Sequence, residues 1–160
     1  MGEKEVRADA VIDVGILAVG LSENPATDYC LEVIEDAVRG RIRVLIPYTV
    51  VFGAHYILTR FYGVISREAN ELLRNLLSSK RIVWHGHIDK GNVEKSLENT
   101  ERYNLDAWDG YILYLMEANQ IRIIYTLDVE HFGKINGIKA VNPIPDEKMS
   151  ELRSFLEESV

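Results

Sequence analysis

Five short apolar runs, separated by amphipathic stretches long enough to cross back over a sheet, constrain this chain more than any other feature. The runs are AVID (10–13), RVLI (43–46), RIVW (81–84), IRIIYT (121–126) and IKAV (138–141). Apolar strands alternating with helical patterns are the mark of α/β architecture with a mostly parallel sheet. The stretch 22–40 has Pro25 near a helix start and Cys30, Val33, Ile34, Ala37 and Val38 at helical spacing, stopped by Gly40. A second helix runs from Pro47 to near Gly63 with Val50, Val51, Ala54, Ile57 and Leu58 inward. A third starts at Ser66 as N-cap and aligns Ala69, Leu72, Leu73, Leu76 and Leu77. A polar helix over 89–103 leads into an apolar one capped by Asp106, and TLDVEHFGK forms a turn and a short helical piece. The tail 145–159 reads as one more amphipathic helix, with Met149, Leu152, Phe155 and Leu156 apolar. No internal repeat or low-complexity linker divides the chain, so residues 1–145 form one domain and 146–160 a helical appendage to it.

The helix YNLDAWDGYILYLMEA contains an anomaly. Asp109 shares a row with Ile112, Leu113 and Met116, so its carboxylate lies on the face expected to enter the core. A buried ionised carboxylate is costly unless paired, hydrogen-bonded or bound to a metal. Asp13, ending AVID, and Asp128, two residues after RIIYT, lie at the carboxyl ends of strands, where open parallel sheets bind ligands. Asp109 precedes a strand, and that rule alone does not bring it to the same edge. If the three converge, their repulsion is best relieved by a hard divalent cation such as Mg²⁺ or Mn²⁺. The bland alternative makes Asp109 a partner of the Asp106 cap, and Asp13 and Asp128 loop caps.

The bulk numbers narrow the function classes. A net charge of −7 argues against broad electrostatic contact with nucleic acid, although Arg39, Arg41 and Arg43, and Lys80 with Arg81, form local basic groups. Those groups read either as solvated loop charge or as phosphate contacts. The single cysteine, Cys30, excludes an intramolecular disulfide. No apolar run is long enough to span a membrane, and MGEKEVRADAVID lacks a signal-peptide pattern, so no membrane association and a cytoplasmic location are expected.

The order of VIDVGIL with Asp13, IPYTVVFGAHYILTRFYG, NLDAWDGYILYLMEAN with Asp109, and IIYTLDVEHF with Thr126 and Asp128, followed by VNPI, resembles the PIN domain family over roughly residues 8–145. That resemblance implies a three-layer α/β/α fold with a five-stranded sheet, to which this chain adds a C-terminal helix. It also implies a metal-dependent ribonuclease, possible membership of a toxin–antitoxin pair, RNA as substrate, an antitoxin as partner and a homodimer. Carried across residue by residue, Asp13, Asp109 and Asp128 are catalytic metal ligands for Mg²⁺ or Mn²⁺, and Thr126 supports Asp128 through its hydroxyl. Asp106 is assigned to capping.

Two positions depart from the family pattern. Gly53 stands where the family usually carries a glutamate in the second helix, and Gly15 where a polar residue often follows the first aspartate. Thr49, one turn before Gly53, offers at most a hold on a water, and His55 points roughly the other way. A catalytically degraded PIN-like domain that binds RNA or protein is therefore the alternative function.

Other patterns admit two readings. His85 and His87 are spaced to chelate a transition metal or are ordinary loop histidines; His131 contacts a phosphate or merely packs. Tyr56, Tyr62, Tyr103, Tyr111 and Tyr114, with Trp84 and Trp108, either stack on unpaired bases or serve core and dimer packing. A receiver-type domain fails on residues, because the third strand ends in Trp84, His85 and Gly86 instead of a phosphoacceptor aspartate.

Overall fold

Strands β1 (Ala10–Ile12) and β2 (Val44–Pro47) are buried along their whole length, which requires helices on both faces of the sheet. The computed structural model describes residues 7–159, so the first six residues of the signal-peptide reading and Val160 of the tail lie outside the described residues. With β3 (Val83–His85), β4 (Ile123–Tyr125) and β5 (Lys139–Val141), the strands form one five-stranded sheet in the order β3-β2-β1-β4-β5. Every neighbouring pair is parallel. The fold is α/β and PIN-like. Edge strands β3 and β5 are only partly buried, whereas β1 and β2 carry the sheet's driest residues.

The chain leaves β1 toward β2 on one side and meets β4 on the other, so the sheet's switch point lies between β1 and β4. Open α/β sheets present their crevice there, at the carboxyl ends of the strands. Helices α1 (Val14–Gly20) and α2 (Thr27–Val38) join β1 to β2, and α3 (Tyr48–Phe61) and α4 (Ser66–Leu77) join β2 to β3. Helices α5 (Lys90–Tyr103) and α6 (Ala107–Ala118) lead to β4, α7 (Val129–Gly133) to β5, and α8 (Asp146–Glu158) ends the described chain.

Three local expectations are corrected. The helix expected over 22–40 begins only at Thr27, and a separate helix α1 precedes it. Within α1, Ile16 to Gly20 are all buried, so VGILAVG has no polar face to mark it as helical. Ser66 is not the N-cap of α4: Ile65 holds that place with no side-chain bond, and the Ser66 hydroxyl lies 3.3 Å from His55 Nε2. Val38, aligned in sequence with the apolar residues of that helix, is its last residue and is 41% exposed.

The α5–α6 hairpin fixes the helix that carries Asp109. Asn104 supplies a left-handed C-cap to α5, and Asp89 and Asn92 close a reciprocal capping box at its start. A Cβ on Gly110 would overlap the Ser96 carbonyl of α5, so glycine permits the two backbones to meet. The buried Asn99 amide then donates to the Gly110 carbonyl at 3.1 Å, and Asn92 donates to the Tyr114 hydroxyl at 2.8 Å. Along α8, Leu152 is buried, while Met149, Phe155 and Leu156 pack against the core more loosely.

Candidate active site

Asp13, Asp106, Asp109 and Asp128 gather at helix starts on the carboxyl edge of the sheet, where N-terminal amides favour negative charge. Asp13 follows β1 and is the N-cap of α1: its Oδ1 accepts from Val14 N–H at 2.7 Å. Its Oδ2 accepts from the Thr126 hydroxyl at 2.8 Å across the switch point. Thr126, fully buried, in turn accepts from Asp128 N–H at 3.0 Å. The Thr126 hydroxyl thus supports Asp128 through its backbone N–H and, beyond the sequence expectation, also holds the Asp13 carboxylate.

Asp106 caps α6 by accepting from Asp109 N–H at 2.8 Å, as its sequence position suggests. Asp109 lies in the first turn of that helix, and no hydrogen bond to its carboxylate is found among the described residues. Its pKa is pushed up to about 7, first by burial and then by Asp13, Asp106 and Asp128. Asp13 is also raised, chiefly by burial, against the lowering effect of the Thr126 and Val14 hydrogen bonds. His131 works against the rise at Asp109, but by less than burial and the three neighbouring carboxylates.

Asp128 is turned toward α7. It caps that helix through His131 N–H at 3.3 Å, and both carboxylate oxygens contact His131 Nδ1, at 2.8 and 2.9 Å. That pairing raises the pKa of the exposed His131 imidazole. Asp128 remains near enough to act electrostatically on Asp13 and Asp109.

A cavity of about 360 Å³ lies against these groups. Asp13, Asp106 and Asp109 form one wall; Val50, Gly53, Tyr56, Ile57 and Phe61 of α3 form the other. Trp108 and Ile112 of α6, with Val14 and Thr49, complete it. Gly53 therefore faces the carboxylates, and a Cβ there would come within 3.0 Å of Val14 Cγ2. His55 is turned toward Ser66.

The donor set suits a hard cation, because it offers only carboxylate and hydroxyl oxygens. Among the described residues no three His, Cys, Asp or Glu side chains form a ready-made metal cage. Mg²⁺ does not require one, since it is commonly held by one or two carboxylates and several waters. Asp13 and Asp109 fit that requirement.

The remaining sequence candidates separate cleanly. His85 Nε2 lies 3.1 Å from the His87 carbonyl and His87 pairs with Asp89, so the two rings are engaged locally. Trp84 stacks on Tyr48 with centroids 5.6 Å apart, and Tyr111 is buried against Tyr114 with its hydroxyl unpartnered among the described residues. Tyr62 tilts against Phe155 of α8, and Arg102 lies over Tyr103. Only Tyr56 and Trp108 of the aromatic candidates line the carboxylate cavity. Phe61, not singled out from the sequence, joins them. A helix exposing aromatic residues beside Gly53 was the available signal.

No family model matches the sequence, and no curated protein matches it. Solved structures do. A toxin–antitoxin complex from Klebsiella pneumoniae aligns with a TM-score of 0.59 at 17% identity, covering 84% of this chain and 97% of that one. VapC20 of Mycobacterium tuberculosis, a sarcin–ricin-loop-cleaving toxin, aligns with a TM-score of 0.62 at 14% identity, covering 76% and 92%. FitAcB of Neisseria gonorrhoeae gives 0.55 at 14% identity, covering 84% and 97%. The chain shares the PIN domain fold with these proteins.

Proposed function

We propose that this protein is a metal-dependent ribonuclease of PIN type, hydrolysing RNA phosphodiesters with Mg²⁺ or Mn²⁺ held by Asp13 and Asp109. The observation that carries the reading is the placement of these two charge-deficient carboxylates on one cavity wall at the sheet's switch point. When bound, such a cation neutralises phosphate charge and activates water for hydrolysis. The chain's own residues do the rest. Thr126 and Val14 N–H fix the Asp13 carboxylate and leave it further lone pairs. Asp109 would hold the cation in its ionised form, which the cation's charge would favour. Asp128, paired with His131, would act on the site from a distance by its charge. An antitoxin, a homodimeric assembly and a cytoplasmic location belong to the same proposal; the toxin–antitoxin neighbour supports the first. Among the described residues no helix is long and apolar enough to cross a membrane.

Gly53 favours a second reading, a non-catalytic PIN-like domain that binds RNA or protein. It leaves the α3 wall without a carboxylate. Calorimetric titration of Mn²⁺ into wild type and Asp109→Asn, with cleavage of a mixed single-stranded RNA pool in the same buffers, separates the two. Binding and cleavage that both vanish in Asp109→Asn support the nuclease. Wild type that neither binds nor cleaves leaves the second reading.

A further inference from the structure

We propose that the cavity between α3 and α6 receives one unpaired base of the RNA substrate, stacked against Trp108, with Tyr56 and Phe61 closing the slot. This rests on the nuclease reading for its substrate, and on the following geometry for its occupant. Apart from the carboxylates on one wall and the Thr49 hydroxyl, the lining is apolar and aromatic, and it contains no basic side chain. The reacting phosphate belongs at the carboxylate wall, beside the cation held there, and the apolar remainder offers a second phosphate no partner. It does suit a base, whose π-face stacks on any aromatic ring with little regard to sequence.

Size and exposure agree. About 360 Å³ lies at the small end of the range of ligand cavities, roughly 300–1,000 Å³. Trp108 is 64% exposed, Tyr56 56% and Phe61 46%, an unusual exposure for three rings around one opening. Tyr56 and Phe61 meet edge to face at 6.1 Å, and the Arg60 guanidinium sits 5.9 Å from the Tyr56 centroid. Arg60 thus places a cation beside the aromatic slot, where the phosphate attached to a buried base would run. A second cavity of about 190 Å³, lined by Val93, Leu97 and Tyr111 among others, shares Trp108 and Thr49 with the first. The indole is a wall common to both. Gly53 is what keeps the slot open: any longer side chain there projects beside Val14 into the same space.

The test uses adenosine and cytidine, which carry no phosphate and need no metal. Each is titrated into the full chain in EDTA while the Trp108 indole and the backbone amides are followed by NMR. The expected result is a saturable millimolar response centred on Trp108, Gly53 and Ile112. It weakens at least about fivefold in Phe61→Ala, the low end of the range for a lost base–aromatic contact, and is abolished in Gly53→Glu, with amide spectra confirming that both variants fold. Arg60→Ala weakens binding of a single-stranded oligoribonucleotide more than binding of a nucleoside and lowers the oligonucleotide's salt slope by about one. No saturable response in wild type overturns the proposal, as does a response that survives unchanged in Phe61→Ala. Sedimentation showing a dimer whose formation protects Trp108 also overturns it, because the slot is then covered by a second copy. Cleavage of RNA without nucleoside binding sinks the base slot and spares the nuclease; nucleoside binding without cleavage does the reverse.

Discussion

Helices α3 and α6 face each other across one cavity, and both are largely apolar, yet they bring opposite chemistry to it. From α6 come Asp109 and the Asp106 cap, beside Asp13 at the end of β1; from α3 come apolar and aromatic side chains, Gly53 and the Thr49 hydroxyl, with no charged group. The difference teaches where the cost of charge is placed. Asp109 and Asp13 are held at helix N-termini, where backbone amides offset part of the burial penalty. Mid-helix, at Gly53, no such amides are free, and the chain presents space instead of a charge.

The largest expected effect strikes the acidic wall. Asp109→Asn should reduce Mn²⁺-dependent RNA cleavage at least about 100-fold, on the scale of losing one preorganised charge-stabilising group. The same change should raise the melting temperature of the metal-free protein, since it removes a buried charge crowded by Asp13. A variant that cleaves like wild type would show that the acidic wall is structural only. Gly110→Ala comes next. Alanine would gain about 1 kcal/mol in helix propensity, but its methyl meets the Ser96 carbonyl, which is backbone and cannot turn aside. Overpacking costs about 1–3 kcal/mol, so we expect a net loss of stability in denaturant melts and a displaced Asp109. Thr126→Val should cost a similar or smaller amount, about 1–2 kcal/mol, by leaving Asp13 Oδ2 and Asp128 N–H without their common partner. Its signature is a weakened Mn²⁺ affinity along with the stability loss; Thr126→Ser should recover both.

Much of this arrangement was legible in the chain, and the illegible parts have physical causes. Strands β1 and β2 announce themselves because parallel strands buried on both faces read as continuous apolar runs. The same uniformity hides α1, whose VGILAVG offers no period to tell a buried helix from a strand. Asp109 was recognisable as misplaced, and its arrival at the crevice followed from topology. A helix that precedes a parallel strand runs antiparallel to it, so the start of α6 must lie at the carboxyl edge that β4 reaches. What the sequence withheld is direction. Nothing in LTRFYG distinguishes an exposed Phe61 from a buried one, and nothing in TLDVEHF says that Asp128 turns to His131 while Thr126 reaches back to Asp13.

Titration sharpens the contrast between the walls by a smaller amount. The folded pKa of Asp109, about 7, lies above its unfolded value near 3.8, so folded protein binds more protons in that window and stability must fall as pH rises through it. Asp13 and His131, both raised, act in the same direction. Metal-free wild type should therefore melt lower at pH 8 than at pH 5.5. Asp109→Asn should flatten that slope, and saturating Mn²⁺ should reverse it, because the cation prefers the ionised carboxylate. A wild-type slope that rises with pH across this window would contradict the burial of charge on the α6 wall.

The smallest effect tests whether every carboxylate on that wall has the same duty. Asp106 lines the cavity beside Asp109, yet its Oδ1 is already committed to Asp109 N–H at 2.8 Å. Asparagine is as good an N-cap as aspartate, and loss of a cap to alanine costs about 1 kcal/mol. Asp106→Asn should thus leave the melting temperature nearly unchanged, and Asp106→Ala should lower stability by about that amount. If capping is its only duty, Mn²⁺ affinity should change less than twofold in Asp106→Asn, by calorimetry under conditions where Asp109→Asn abolishes binding. A large loss in Asp106→Asn would move Asp106 from the cap to the ligand set, and the acidic wall would then hold its cation by three carboxylates instead of two.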